Sequence, residues 1–96
     1  MTIEKLLKEK RQAILALAAK HGANDVRVFG SVVRREAVPG SDIDLLVKMA
    51  EDRSLLDLSA LTLELQDLLG VKVDVVSEDG LYWLLRRRIL KEAWPL

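Results

Sequence analysis

Two aspartates separated by one residue constrain this chain more than any other feature of it. In Asp42-Ile43-Asp44-Leu45-Leu46-Val47 they alternate with apolar side chains. An extended strand sends alternate side chains to opposite faces, so Ile43, Leu45 and Val47 read as core. Asp42 and Asp44 then leave the other face as a pair. Paired carboxylates repel, and each raises the pKa of the other unless positive charge lies between them. A divalent cation bound through oxygen ligands is the usual answer. The same residues also fit simple turn chemistry, because aspartate is common where a loop enters a strand.

The residues upstream favour the first reading. Val26-Arg27-Val28-Phe29 predicts a short strand, and Gly30-Ser31 ends it abruptly. Val32 to about Glu36 predicts one helical turn, and Val38-Pro39-Gly40-Ser41 a loop into the second strand, Asp42 to Lys48. Glycine lets backbone approach a ligand closely. The amides that follow, at the start of a helical turn, point toward an anion. The Ser31 hydroxyl adds a donor. Arg34 and Arg35 lie one turn on, either as a solvated turn or as guanidinium forks matched to phosphate oxygens.

Downstream, Val71-Lys72-Val73-Asp74-Val75-Val76 alternates as a third strand. Val71, Val73 and Val75 share one face, and Asp74 lies on the other. If the second and third strands are neighbours, Asp42, Asp44 and Asp74 converge. Three carboxylates suit one or two Mg²⁺ ions, completed by water and substrate phosphate. Metal ligands on one side and phosphate donors on the other describe a nucleoside-triphosphate site. It is not a P-loop, since the Lys-Ser/Thr ending is absent.

The remaining segments read as helices. Ile3 to Lys20 carries apolar residues near helical spacing, with Thr2 at its start and Gly22 at its end. His21, the only histidine, falls at that C-terminus, where capping suits it better than catalysis. Ser54-Leu55-Leu56-Asp57 resembles a capping box opening a helix striped by Leu55, Leu58, Leu61, Leu65, Leu68 and Leu69 and stopped by Gly70. Leu81 to Ala93 is the last helix, with Leu81, Leu84, Leu85 and Ile89 on one side. Tyr82, Trp83 and Trp94 are expected to pack against the sheet, and Arg86-Arg87-Arg88 to form a solvated face. The expected fold is a single α/β (α+β) domain over residues 1–96, a small mixed three-stranded sheet flanked by about four helices.

Fifteen basic and fifteen acidic residues cancel, so no net field argues for direct nucleic-acid binding. Cysteine is absent, which excludes disulfides and zinc-thiolate sites. The charged N-terminus has no signal-peptide core, and no apolar run is long enough to span a membrane. A cytoplasmic location is the default.

Gly30-Ser31, ten residues, then Asp42-Ile43-Asp44 resembles the GSx10DxD signature of the polymerase-β-type nucleotidyltransferase superfamily. Size, element order and the third aspartate at Asp74 resemble its minimal nucleotidyltransferase branch. The resemblance implies that Gly30 and Ser31, with Arg34 and Arg35, hold a nucleoside triphosphate. It implies that Asp42, Asp44 and Asp74 bind Mg²⁺, and that Asp74 assists deprotonation of an acceptor hydroxyl. The implied reaction is nucleotidyl transfer from a triphosphate such as ATP, with release of pyrophosphate. The branch resembles the antitoxin half of HEPN–MNT toxin–antitoxin pairs, which implies a HEPN toxin as partner and a tyrosine on it as acceptor. Neutralisation by stoichiometric binding, and transfer to a small molecule, are the alternatives. Base preference and oligomeric state, a homo-oligomer included, are left open.

Overall fold

The computed structural model describes residues 2–36 and 42–96. Helix α1 (Ile3–Glu9) leads into α2 (Arg11–Lys20), then β1 (Ala23–Phe29) and β2 (Ile43–Met49). Helix α3 (Leu55–Leu69) connects to β3 (Val73–Ser77), a 3-10 turn over Glu78–Gly80 follows, and α4 (Trp83–Glu92) precedes a short β4 (Trp94–Pro95). The expected Val38–Ser41 loop lies outside the described residues.

The sheet order is β3-β2-β1-β4, with β2 parallel to β3 and antiparallel to β1. Parallel pairing of β2 and β3 requires a crossover, and α3 supplies it. The face of β2 that carries Ile43, Leu45 and Val47 is fully buried, in one cluster with Ile14 and Ala18 of α2 and Leu61, Leu65 and Leu69 of α3. Burying each such aliphatic side chain is worth roughly 1.5–3 kcal/mol. This aliphatic layer fixes the register of β2, because a slip of one residue would drive Asp44 into the core. Val73 is buried with the cluster and Val71 and Val75 pack partly against it. Asp74 is exposed on the other face.

Four sequence expectations need correction. The first helix is two, because Lys10 departs from helical geometry (φ −97°, ψ 6°). The break falls in the polar run Lys8 to Gln12, where no apolar side chain holds the helix to the core. The sheet has a fourth strand: Val28 pairs with Trp94 and Arg27 with Pro95, and the Leu96 N–H donates to the Val26 carbonyl at 2.9 Å. Pro95 suits that place, since proline removes a ladder donor and belongs at an edge. Leu55, at the start of the leucine stripe, is 79% exposed.

Helix α4 departs most. No residue of it is buried, and Tyr82, Trp83, Leu84, Leu85 and Trp94 are all exposed. Charge contacts near its two ends hold it instead. Arg86 Nη1 donates to the Glu78 carbonyl at 2.7 Å, and Arg34 Nη1 donates to Glu92 Oε1 at 2.8 Å. Among the described residues, no helix is long and apolar enough to cross a membrane.

Candidate active site

Asp44 is the centre of the polar face of the sheet. Its partner across the parallel ladder is Asp74 on β3, and its partner across the antiparallel ladder is Phe29 on β1. Residues in register on adjacent strands share a face, so the two carboxylates are neighbours. Asp42 lies just before β2 on the same side of the alternation, with Lys72 Nζ 3.7 Å from its Oδ2. The Ile43 N–H donates to the Lys72 carbonyl at 3.0 Å and pins this strand entrance. Asp44 is pushed above the ordinary aspartate pKa of 3.8, first by burial and then by the charges of Asp74 and Asp42. Arg34 opposes that rise and Glu92 adds to it.

The turn after β1 is shaped by the same carboxylate. Gly30 has φ +78°, a left-handed backbone that glycine adopts without penalty. A Cβ on Gly30 would overlap Asp44 Oδ2. The glycine thus makes room for the aspartate as well as for any ligand, a role that motif spacing alone did not reveal. The amides of Arg34, Arg35 and Glu36 are taken by the carbonyls of Gly30, Val32 and Ser31. Those of Ser31, Val32 and Val33 have no backbone acceptor among the described residues. Free amides at the first turn are the groups that receive an anion.

Of the two predicted arginines, the structure brings Arg34 to the carboxylates and not Arg35. Arg34 is shared between Glu36 Oε2 at 3.2 Å and Glu92 Oε1 at 2.8 Å. These two hydrogen bonds, in that order, raise the Arg34 guanidinium above its already high value. Arg35 is exposed and closes the turn with φ +58°, a strained conformation for a non-glycine residue. Glu92 escaped the sequence reading. Its one signal is an acidic residue in the last turn of a helix, where the macrodipole disfavours it. His21 lies elsewhere, capping α2 and paired with Glu64 of α3, whose carboxyl is held below its ordinary range by His21 and then Lys20.

The donor set fits a hard divalent cation. It offers carboxylate oxygens on one face, and mutual repulsion that positive charge would relieve. Among the described residues, no three His, Cys, Asp or Glu side chains close into a ready-made cage. An open set is what Mg²⁺ takes, since it keeps several waters and shares its shell with phosphate.

The nucleotidyltransferase domain family model matches residues 7–95. A protein adenylyltransferase, MntA, of Thermococcus cleftensis is 40% identical over 77 residues, covering 80% of this chain and 78% of that protein. The solved structure of a protein inferred to be a minimal nucleotidyltransferase superposes with a TM-score of 0.88 at 55% identity, covering 100% of this chain and 97% of the other. A structure described as a toxin-antitoxin with AMP-PNP shares the fold at 21% identity, with a TM-score of 0.75 over 88% of this chain and 69% of that one. The chain belongs to the nucleotidyltransferase domain family and is a nucleotidyltransferase.

Proposed function

We propose that this nucleotidyltransferase moves AMP from ATP, with Mg²⁺, onto a tyrosine hydroxyl of a HEPN toxin, and so serves as the antitoxin of a toxin–antitoxin pair. The observation that carries the reading is the register pairing of Asp44 with Asp74 beside the glycine turn. The adenylyltransferase relative supports AMP as the group moved. The toxin-antitoxin neighbour lends its assembly as the pattern for the partner.

In this reading the amides of Ser31, Val32 and Val33 and the Ser31 hydroxyl hold the outer phosphates. Arg34 trades Glu92 for a phosphate oxygen, and Arg35 adds a second guanidinium where the turn exits. Asp42, Asp44 and Asp74 hold one or two Mg²⁺ ions, which when bound neutralise triphosphate charge and polarise the α-phosphorus. Asp74, the exposed member of the three, takes the proton from the acceptor hydroxyl. The hydroxyl oxygen bonds to the α-phosphorus, the bond from that phosphorus to the bridging oxygen breaks, and pyrophosphate departs with the electron pair.

The test is intact-mass measurement on the product of the adjacent open reading frame, folded and unmodified, after incubation with this chain, ATP and Mg²⁺. The expected result is a gain of AMP on one tyrosine, absent with the Asp42→Asn/Asp44→Asn variant. No mass gain overturns the proposal. A double variant that still neutralises the partner fully shows stoichiometric binding instead.

A further inference from the structure

We infer that the groove between Arg34 and helix α4 is the docking surface for an acidic segment of the acceptor protein. The inference rests on the transfer reading above and adds where, and by what chemistry, the acceptor is gripped. The groove holds about 600 Å³ and is lined by Arg34, Leu84, Arg87, Arg88, Lys91 and Glu92. On α4 the positions 84, 87, 88 and 91 recur at i, i+3, i+4 and i+7, so one face of the helix is turned to the groove. That stripe runs for about 10 Å along the axis.

Its charge is unspent. Arg86, on another face, is committed to Glu78 through its carbonyl and carboxylate. Arg87, Arg88 and Lys91 have no carboxylate within 4.0 Å among the described residues. In a chain of zero net charge this is a local concentration of cations, and it asks for an anionic occupant. The groove is continuous with the candidate active site through the Arg34–Glu92 contact. An occupant lying along α4 therefore reaches Arg34 in the turn after β1.

The occupant is polypeptide rather than polyphosphate or nucleic acid because the cations do not stand alone. Leu84 lines the groove from the first turn of α4, and Tyr82 and Trp83 stand exposed beside it in the chain. Arginine, tryptophan and tyrosine beside an aliphatic anchor is the composition of a protein–protein contact. A polypeptide segment rich in carboxylates with an interspersed aromatic matches both halves.

The probe is a fluorescein-labelled random copolymer of glutamate and tyrosine, followed by anisotropy at low salt. Wild type is expected to bind it in preference to a lysine–tyrosine copolymer. The Arg87→Glu/Arg88→Glu/Lys91→Glu variant is expected to lose about tenfold to a hundredfold in affinity and to gain binding to the lysine–tyrosine copolymer. That gain reports a folded variant whose preference is reversed. Affinity for AMP-PNP with Mg²⁺ is expected to be unchanged. Equal copolymer binding by the variant overturns the inference. So does tighter binding of a single-stranded oligonucleotide than of the acidic copolymer, or a matching loss of AMP-PNP affinity. Because the readout is binding, a chain that transfers no AMP in the mass experiment still answers this question.

Discussion

Asp44 Oδ2 occupies the space that a side chain on Gly30 would need, and the left-handed backbone of Gly30 turns the chain around it. The turn after β1 and the carboxylate strand β2 are thus built against each other.

Gly30→Ala is expected to destabilise the fold for two separable reasons. The left-handed conformation costs an alanine about 1–2 kcal/mol, and the new methyl group collides with Asp44. Gly30→Ala/Asp44→Ala removes the collision and keeps the conformational cost. Urea denaturation of the four members of this cycle should show the double variant more stable than the sum of the singles by at least about 0.5 kcal/mol. Simple additivity would mean that the two residues do not share space.

Asp44→Asn is expected to abolish transfer and yet stabilise the protein without metal. Asp44 has a folded pKa above 3.8, raised by burial and by Asp74 and Asp42. A raised carboxylate binds its proton more tightly in the folded chain. Its contribution is therefore fully present below the ordinary aspartate pKa and lost as pH rises through the raised value. At neutral pH the ionised group is a liability, and asparagine removes it. For a domain of this size each kcal/mol shifts Tm by roughly 4–8 °C. The gain in Tm should be larger near neutrality than below the ordinary aspartate value of 3.8, where the wild-type carboxyl is protonated. Added Mg²⁺ should raise the wild-type Tm and leave the variant nearly unmoved. A variant that melts below wild type at both pH values contradicts the repulsion.

What the sequence made legible follows from where the physics is local. The alternation Asp42-Ile43-Asp44 and the solitary Asp74 in a valine strand are period-two signals, and the structure places Asp44 and Asp74 in register. The core leucines of α3 were legible for the same reason at helical period, apart from Leu55. Helix α4 was not. Its Leu84 and Leu85 carry the apolar spacing of a packed helix, but its C-terminal turn is held by an ion pair to Arg34, 58 residues earlier in the chain. No window of sequence contains such a contact. Glu92, β4 and the exposure of Trp83 and Trp94 escaped with it.

Glu92→Gln is expected to loosen α4 more than it unfolds the protein. Helix α4 buries no residue, and the Arg34–Glu92 contact at 2.8 Å ties its C-terminal turn to the turn after β1. Hydrogen exchange at amides of α4 should quicken, while amides in β1 and β2 keep their protection. The same change removes one negative charge acting on Asp44. The pH at which activity falls on acidification should therefore move down. An unaltered exchange pattern would show that α4 is held by contacts other than its end charges.

Glu64 is the test of the charge contacts behind the sheet. Its carboxyl lies below its ordinary value of 4.5, held there by hydrogen bonds from His21 and then Lys20. A depressed carboxylate stabilises the fold above its unfolded pKa, and that contribution is lost as pH falls through the lower folded value. Glu64→Gln removes the titrating group. The difference in Tm between wild type and variant should be greatest near neutral pH and should shrink once the pH drops below the ordinary glutamate range. Lys20→Gln should reproduce a part of the effect, because His21 remains paired with Glu64. A Tm difference that stays constant from neutral pH into acid would show that Glu64 acts through packing against α2 and not through its charge.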